Sequence, residues 1–468
     1  MNFYKTKIVA TIGPSSSDEK TLSKMIKKGM NVARLNFSHG DYDSHKKVIN
    51  VIRNISEHED LPVSVLQDLS GPKIRLSKME YPIELRKNDI IRISVDKTDD
   101  SELHTDFEKL PYYVKQGDKM LIDDGYIELK AVNIKRNLIE AKVIQGGFAK
   151  SKKGINLPDV SVNIPVFTEK DRKDLEFGLD NNVDIVAMSF VSCARDVVPI
   201  RKMISKRTKN IPIIAKIERP IALKNIDKIL DAFDGIMVAR GDLGVEMPLE
   251  NVPLIQKDLI LRANNKNKIV ITATQMLESM INNPRPTRAE ASDVSNAILD
   301  GTDAIMLSGE TASGKFPVKA VQTMRNIAEI TENSTLYNYA ISMPHSAKIG
   351  NTEAIVKSAA IMSEELDVKF ILVFTYSGNT ALLLSKYRPR CPIVAFSPQK
   401  DVVRRMGIYW GVDPHYIEFI RNTDEMILKG EDMLKIKKIV KSGDLILTIA
   451  GLTPMKGATN MLRVSRIN

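Results

Sequence analysis

The chain has 468 residues, 43% hydrophobic and 27% charged, with a formal charge of +10. That length exceeds one ordinary domain, and the composition is that of a folded globular protein rather than a disordered or fibrous one. Two distant cysteines, Cys193 and Cys391, argue against a disulfide framework, aromatics at 6% argue against a nucleic-acid stacking surface, and no apolar run is long enough to span a bilayer.

The first residues, MNFYKTKIVATIGP, lead straight into strand-like sequence. No signal peptide is expected there, and the predicted location is cytoplasmic. KIVATIG (7–13) is the first β-like run. DEKTLSKMIKKG follows as a helix with Leu22, Met25 and Ile26 on one face, ending at Gly29. Further β-like runs are NVARLNFS (31–38), VSVLQDLS (63–70), DIVAMSFV (184–191), IPIIAKIE (211–218), GIMVARGD (235–242), KIVITATQ (268–275) and AIMLSGET (304–311). Eight strands alternating with helices predict an α/β fold, a (β/α)8 TIM barrel, over residues 1–70 and 166–343.

One connection breaks the rhythm. Residues 71–165 contain alternating strands with Asn-Asp or Asp-Gly turns, as in PIELRKNDIIRISV, DKMLIDDGYIELKAVNI and NLIEAKVIQGG. They predict a small all-β domain inserted in a barrel loop, placed to act as a lid. Residues 344–468 read as a separate α/β domain with an open sheet. Its pieces are the helix NTEAIVKSAAIMSEEL, the strand KFILVFT, the turn YSGNT, the helix ALLLSKY, and the strands PIVAFSP and DLILTIAG.

Strand alternation sorts the polar residues. Arg34, Asn36 and Ser38 share one face, opposite Ala33, Leu35 and Phe37. Lys216 and Glu218 share another, opposite Ile213, Ala215 and Ile217. Thr272 aligns with Thr274 and Ser308 with Glu310, while Asp68 and Asp242 also end strands. Functional residues of such barrels come from the C-terminal strand ends. Glu218 and Asp242 are hard oxygen donors suited to Mg²⁺ or Mn²⁺. Lys216 places an ammonium beside them, Arg34 offers a bidentate grip for a phosphoryl group, and backbone N–H groups at Gly241 and Asp242 could receive a carboxylate. Metal, ammonium and guanidinium together describe phosphoryl transfer.

The stretches KIVATIGPSS, MNVARLNFSHG, SGPKIR, KKGINLP, IAKIE, MVARGDLGVE, the long run from Thr272 to Pro317, and TYSGNTA together resemble the pyruvate kinase family. The resemblance implies transfer of a phosphoryl group from phosphoenolpyruvate to ADP, giving pyruvate and ATP. It also implies a lidded barrel, a regulatory C-terminal domain and a homotetramer. Carried onto this chain, it assigns Glu218 and Asp242 to Mg²⁺, with a second Mg²⁺ arriving with ADP. It gives Arg34 and Lys216 to the phosphoryl group, and Gly241, Asp242 and Thr274 to the substrate carboxylate. Thr274 and Ser308 fall in the relay that protonates the enolate carbon. Asn36, Ser38, His39, Arg75 and Lys153 would face the nucleotide. His39 and His45 also read as ordinary loop and helix-surface residues. Another Mg²⁺-dependent barrel enzyme would lack the inserted lid, and a non-catalytic relative would be expected to have lost Lys216, Glu218, Asp242 or Thr274.

Two departures carry expectations. Many family members bind K⁺ through residues matching Asn36, Ser38, Asp68 and the carbonyl of Leu69, with glutamate where this chain has Lys73. A tethered ammonium there predicts that K⁺ is not required. The loop Thr375, Ser377, Gly378, Asn379 and Thr380 resembles the family's effector loop and forms a candidate phosphate cradle. LTPMKGATN lacks the Trp and Arg with which some relatives hold fructose bisphosphate, so AMP or a sugar monophosphate is the expected effector.

Overall fold

A computed structural model of the chain describes residues 3–158, 160, 165–207, 210–340, 350–451 and 459–467. The β-like runs close into a parallel barrel of eight strands: β1 (Lys7–Thr11), β2 (Val32–Asn36), β3 (Ser64–Leu69), β4 (Ile185–Met188), β5 (Ile213–Ile217), β6 (Gly235–Ala239), β7 (Ile269–Ala273) and β8 (Ala304–Leu307). Strands adjacent in this order are adjacent in space, and β8 closes on β1 with Lys7 opposite Ala304.

Both faces of each strand are covered, which is why the runs are so apolar. Ala33, Leu35, Ile213, Ala215 and Ile217 pack toward the surrounding helices, while Val32, Leu66, Ile214 and Met237 fill the barrel interior. The helix Glu19–Lys27 buries Leu22, Met25 and Ile26 as the pattern requires. Asp18 caps it by accepting the Thr21 N–H, and Gly29 ends it at φ +107, a conformation open to glycine.

After β3 the chain leaves the barrel and returns at the helix Glu169–Asp180. In between it forms a six-stranded sheet and a two-stranded one around their own core, which includes Leu76, Ile93, Met120, Leu129 and Val143. In the turn joining Lys119–Ile122 to Ile127–Lys135, Asp123, Asp124 and Gly125 have φ of 55, 55 and 87. Successive left-handed residues reverse the strand in the sense that its own twist favours.

The C-terminal unit is an open five-stranded sheet in the order Val412–Tyr416, Ile393–Ser397, Phe370–Phe374, Leu445–Gly451 and Thr459–Arg466. The last strand runs antiparallel to its neighbour and the others are parallel. The sequence reading did not include Val412–Tyr416 or Thr459–Arg466 among the strands. The first carries Pro414 and the second is largely polar, yet both sit at sheet edges, where proline and charge are tolerated. The domain boundary read at residue 343 and most of LTPMKGATN lie outside the described residues.

This unit seals the N-terminal face of the barrel. Ser64 Oγ donates to the Arg404 carbonyl at 2.6 Å, and a Cβ on Gly407 would meet Ser64 Oγ at 2.9 Å. The buried Asp303 carboxylate receives both Lys386 and Arg388. The opposite, C-terminal face stays open for a site.

Candidate active site

Four charged side chains, from β2, β3 and the end of β5, form one buried chain at that open face. Arg34, midway along β2, donates through Nε to Asp68 Oδ2 at 2.7 Å, with Nη2 2.6 Å from the same oxygen. Its Nη1 donates to Thr11 Oγ1 at 2.8 Å. Lys216 Nζ lies 3.4 Å from Asp68 Oδ1 and 2.8 Å from Glu218 Oε1. Asp68 Oδ1 is buried without a hydrogen-bond partner.

The electrostatics follow from crowding. Burial alone would lower the Lys216 pKa, but Asp68, Glu218 and Asp242 outweigh it and hold the ammonium charged. Burial would raise Asp68, yet Lys216, Arg34 and Lys73 pull it below the usual carboxylate range. For Glu218, burial and the Asp242 charge win over Lys216 and raise its pKa. A carboxylate pair whose joint ionisation is opposed in this way is suited to a divalent cation. No group of three or more His, Cys, Asp or Glu side chains among the described residues is arranged to hold a metal. Two carboxylates fit a hard ion that takes its remaining oxygens from substrate and water.

Three strands stop sooner than their polar patterns imply. β6 ends at Ala239, and Asp242 lies in the first turn of the helix Arg240–Glu246 rather than on a strand. β7 ends at Ala273, so Thr274 does not stay on the face of Thr272. Thr272 Oγ1 donates to Thr302 Oγ1 at 3.0 Å, while Thr274 turns at φ +70. That backbone is strained for a β-branched residue, and such strain gathers at functional sites. It is fixed from two sides. The Gly241 N–H donates to Thr274 Oγ1 at 2.7 Å, and Arg240 Nη2 donates to the Thr274 carbonyl at 2.7 Å. The Gly241 N–H is therefore already taken. β8 ends at Leu307. Ser308 begins a short helix, and Glu310 turns inward to accept the N–H groups of Ser308 and Leu277.

A cleft of about 780 Å³ separates the barrel face from the inserted sheet. Ser38, His39, Lys73, Arg75, Lys153 and Asp242 line it, so residues scattered through the sequence meet on one wall or the other. Arg75 donates to the Lys152 carbonyl at 3.0 Å, and Lys153 pairs with Asp123 at 2.6 Å. The Asn36 side chain accepts the Ser38 N–H at 3.0 Å. Burial, then Arg75, Lys73 and Arg34, lower the His39 pKa. His45 stacks on Phe37 with ring centroids 4.3 Å apart and contacts the His39 carbonyl at 3.0 Å.

Sequence reasoning missed three contributors. Ser189 touches Lys216, Phe190 gives its N–H to Glu218 Oε2 at 2.7 Å, and Arg240 clamps Thr274. All three follow the last residue of a barrel strand by one or two positions, which was the available signal.

Models of the pyruvate kinase barrel domain and of the pyruvate kinase alpha/beta domain match residues 3–321 and 353–465. A pyruvate kinase of Clostridium perfringens is 44% identical, covering 99% of this chain and 100% of that protein. One from Geobacillus stearothermophilus is 46% identical, over 99% of this chain and 80% of its own length. The chain belongs to the pyruvate kinase family. A crystal structure of a pyruvate kinase from Cryptosporidium parvum superposes with a TM-score of 0.91 at 37% identity, covering 99% of this chain and 96% of that one.

Two features can be set against the wider pyruvate kinase pattern. Lys73 is exposed, lines the cleft, and its charge is felt at Asp68, Glu218 and His39. In the effector-like loop some side chains bond within the C-terminal unit and others line a cleft against the barrel. Thr375 Oγ1 accepts the Gly378 N–H at 3.1 Å, and the Thr380 hydroxyl bonds Thr459 at 2.7 Å within the C-terminal unit. Ser377 and Asn379 instead line a second cleft of about 360 Å³ against the barrel, with Lys266, Lys268 and Arg405. No helix among the described residues is long and apolar enough to cross a membrane.

Proposed function

We propose that this chain transfers the phosphoryl group of phosphoenolpyruvate to ADP, giving pyruvate and ATP, with Mg²⁺ and without K⁺. The observation that carries this reading is the buried run Arg34–Asp68–Lys216–Glu218 beneath a cleft whose rim carries Lys73. Membership in the family supplies the reaction class.

In this reading the O–P bond of phosphoenolpyruvate breaks, leaving the bridging oxygen on the enolate, as a terminal oxygen of ADP takes the phosphorus. The enolate left behind gains a proton at its methylene carbon. Mg²⁺ held by Glu218 and Asp242 would supply Lewis-acid stabilisation of the enolate and phosphoryl oxygens, and Mn²⁺ suits the same donors. Lys216 holds a full charge where negative charge develops, in a buried setting where such charge counts most. Arg34, oriented by Asp68 and Thr11, presents its remaining edge to the phosphoryl group. Thr274 and the Gly241–Asp242 turn hold the carboxylate, the Gly241 N–H exchanging its bond to Thr274 Oγ1 for one to the substrate, and Thr274 with Ser308 hands on the proton. Asn36, Ser38, His39, Arg75 and Lys153 take the nucleotide phosphates, with its own Mg²⁺. Closure of the inserted sheet excludes water that would otherwise hydrolyse the phosphoryl donor.

By the family resemblance Lys73 stands where members with a K⁺ site carry glutamate, and its charge adds to those of Lys216 and Arg34 in lowering the Asp68 pKa. Turnover in sodium- and potassium-free buffer of matched ionic strength, with Mg²⁺, tests this directly. Full rate before KCl is added supports it, and strong activation by KCl overturns it. A phosphorylated effector, AMP or a sugar monophosphate, would act through the Thr375–Thr380 loop. Unaltered phosphoenolpyruvate saturation curves with every monophosphate tried would remove that part. A cytoplasmic homotetramer completes the proposal.

A further inference from the structure

Ser189 follows β4 directly and is 1% exposed. Its hydroxyl stands between two parts of the site. Lys216 Nζ donates to Ser189 Oγ at 2.8 Å, and Ser189 Oγ–H donates to the Leu69 carbonyl at 2.7 Å. A serine hydroxyl has a single proton to give, so this pair of bonds fixes its orientation. The next residue, Phe190, adopts φ +58 and donates its N–H to Glu218 Oε2 at 2.7 Å. Across from it, Gly71 has φ +63, and a Cβ there would meet Phe190 Cδ2 at 2.8 Å and Ser189 Cβ at 3.2 Å. The turn that leads to Lys73 is thus seated on the Ser189–Phe190 step.

We propose that Ser189 is a positioning residue that sets the direction of the Lys216 ammonium and ties it to the loop carrying Lys73. The inference rests on the phosphoryl-transfer reading above. An ammonium has three protons, and Lys216 Nζ lies 2.8 Å from Glu218 Oε1 and 3.4 Å from Asp68 Oδ1. Left with those anions alone, it would settle between them. The neutral Ser189 oxygen is a further acceptor at 2.8 Å, and it draws the ammonium without adding negative charge to oppose the incoming phosphoryl group. The Leu69 carbonyl anchors that oxygen in turn. A shift of the Gly71–Lys73 turn would therefore be transmitted to Lys216 through one hydroxyl.

The test compares Ser189→Ala and Ser189→Thr with wild type for kcat, phosphoenolpyruvate KM and Tm. Loss of a residue that orients another typically costs about 10- to 100-fold in activity. The alanine variant should lose kcat in that range, with KM within about threefold and enough folded protein at the assay temperature to measure. Threonine, which keeps the hydroxyl, should recover much of the lost kcat. The proposal is overturned by a kcat near wild type in the alanine variant, by a raised KM with unchanged kcat, by an equal loss in the threonine variant, or by a fall in Tm that accounts for the loss. Failure of wild type to form pyruvate from phosphoenolpyruvate and ADP would instead overturn the parent reading.

Discussion

The Lys216 ammonium lies 2.8 Å from a carboxylate oxygen of Glu218, two residues along the same chain. Strand alternation puts the two on one face, and burial keeps water from screening the contact. Lys216→Met should therefore lower kcat by about 10²–10³ if the ammonium stabilises transition-state charge. It also leaves Asp68 and Glu218 without their shared cation, so some loss of Tm should accompany it. Single-turnover kinetics on the folded variant separate the two effects. A wild-type rate would remove Lys216 from the chemistry.

Lys73→Glu reverses one of the positive charges that act on Asp68 and Glu218, beside the larger ones of Lys216 and, at Asp68, Arg34. Turnover without alkali cations should fall, and added KCl should restore part of it. A variant indifferent to KCl at full activity would make Lys73 a bystander.

Asp303 carries the joint between the barrel and the C-terminal unit. It takes Lys386 and Arg388, and also accepts the Val270 N–H at 2.8 Å. Two buried cations share one carboxylate. Burial, with Arg388 opposing Asp303, brings the Lys386 pKa down to about 8. Asp303→Asn would strand both cations and should cost about 3–5 kcal/mol. Lys386→Met removes the surplus cation and should cost far less. The order of the two urea midpoints checks this, and equal midpoints would contradict it.

Lys7 crosses the same seam, donating to the Tyr4 and Val412 carbonyls at 3.1 and 2.7 Å. Burial lowers its pKa from 10.5 to about 8, with Asp413 opposing the fall. Between those two values the unfolded chain holds the proton that the folded chain has released. Stability from this group therefore rises with pH across that window. Wild type should gain Tm relative to Lys7→Met as pH goes from about 8 toward 10. A constant gap would contradict the assignment.

The barrel was legible because a strand buried on both faces is apolar along its whole length, as in Gly235–Ala239. The site was legible wherever a charge interrupts such a run, as at Arg34, Asp68 and Lys216. It became illegible where the backbone turns. Phe190, Thr274 and Gln275 take φ of 58, 70 and 54, and none is a residue that advertises a left-handed turn. Met-Ser-Phe therefore reads as more strand, and nothing in the pattern marks the Ser189 hydroxyl. The two unread C-terminal strands fail the apolar test for the opposite reason, since an edge need not be apolar on both faces.

The most direct test of the account is pyruvate release from phosphoenolpyruvate by the full chain, with Mg²⁺, in the presence and absence of ADP. The account predicts rapid release only when ADP is present, with one ATP formed for each pyruvate. Release without ADP, or none with it, would contradict phosphoryl transfer at the Lys216 site.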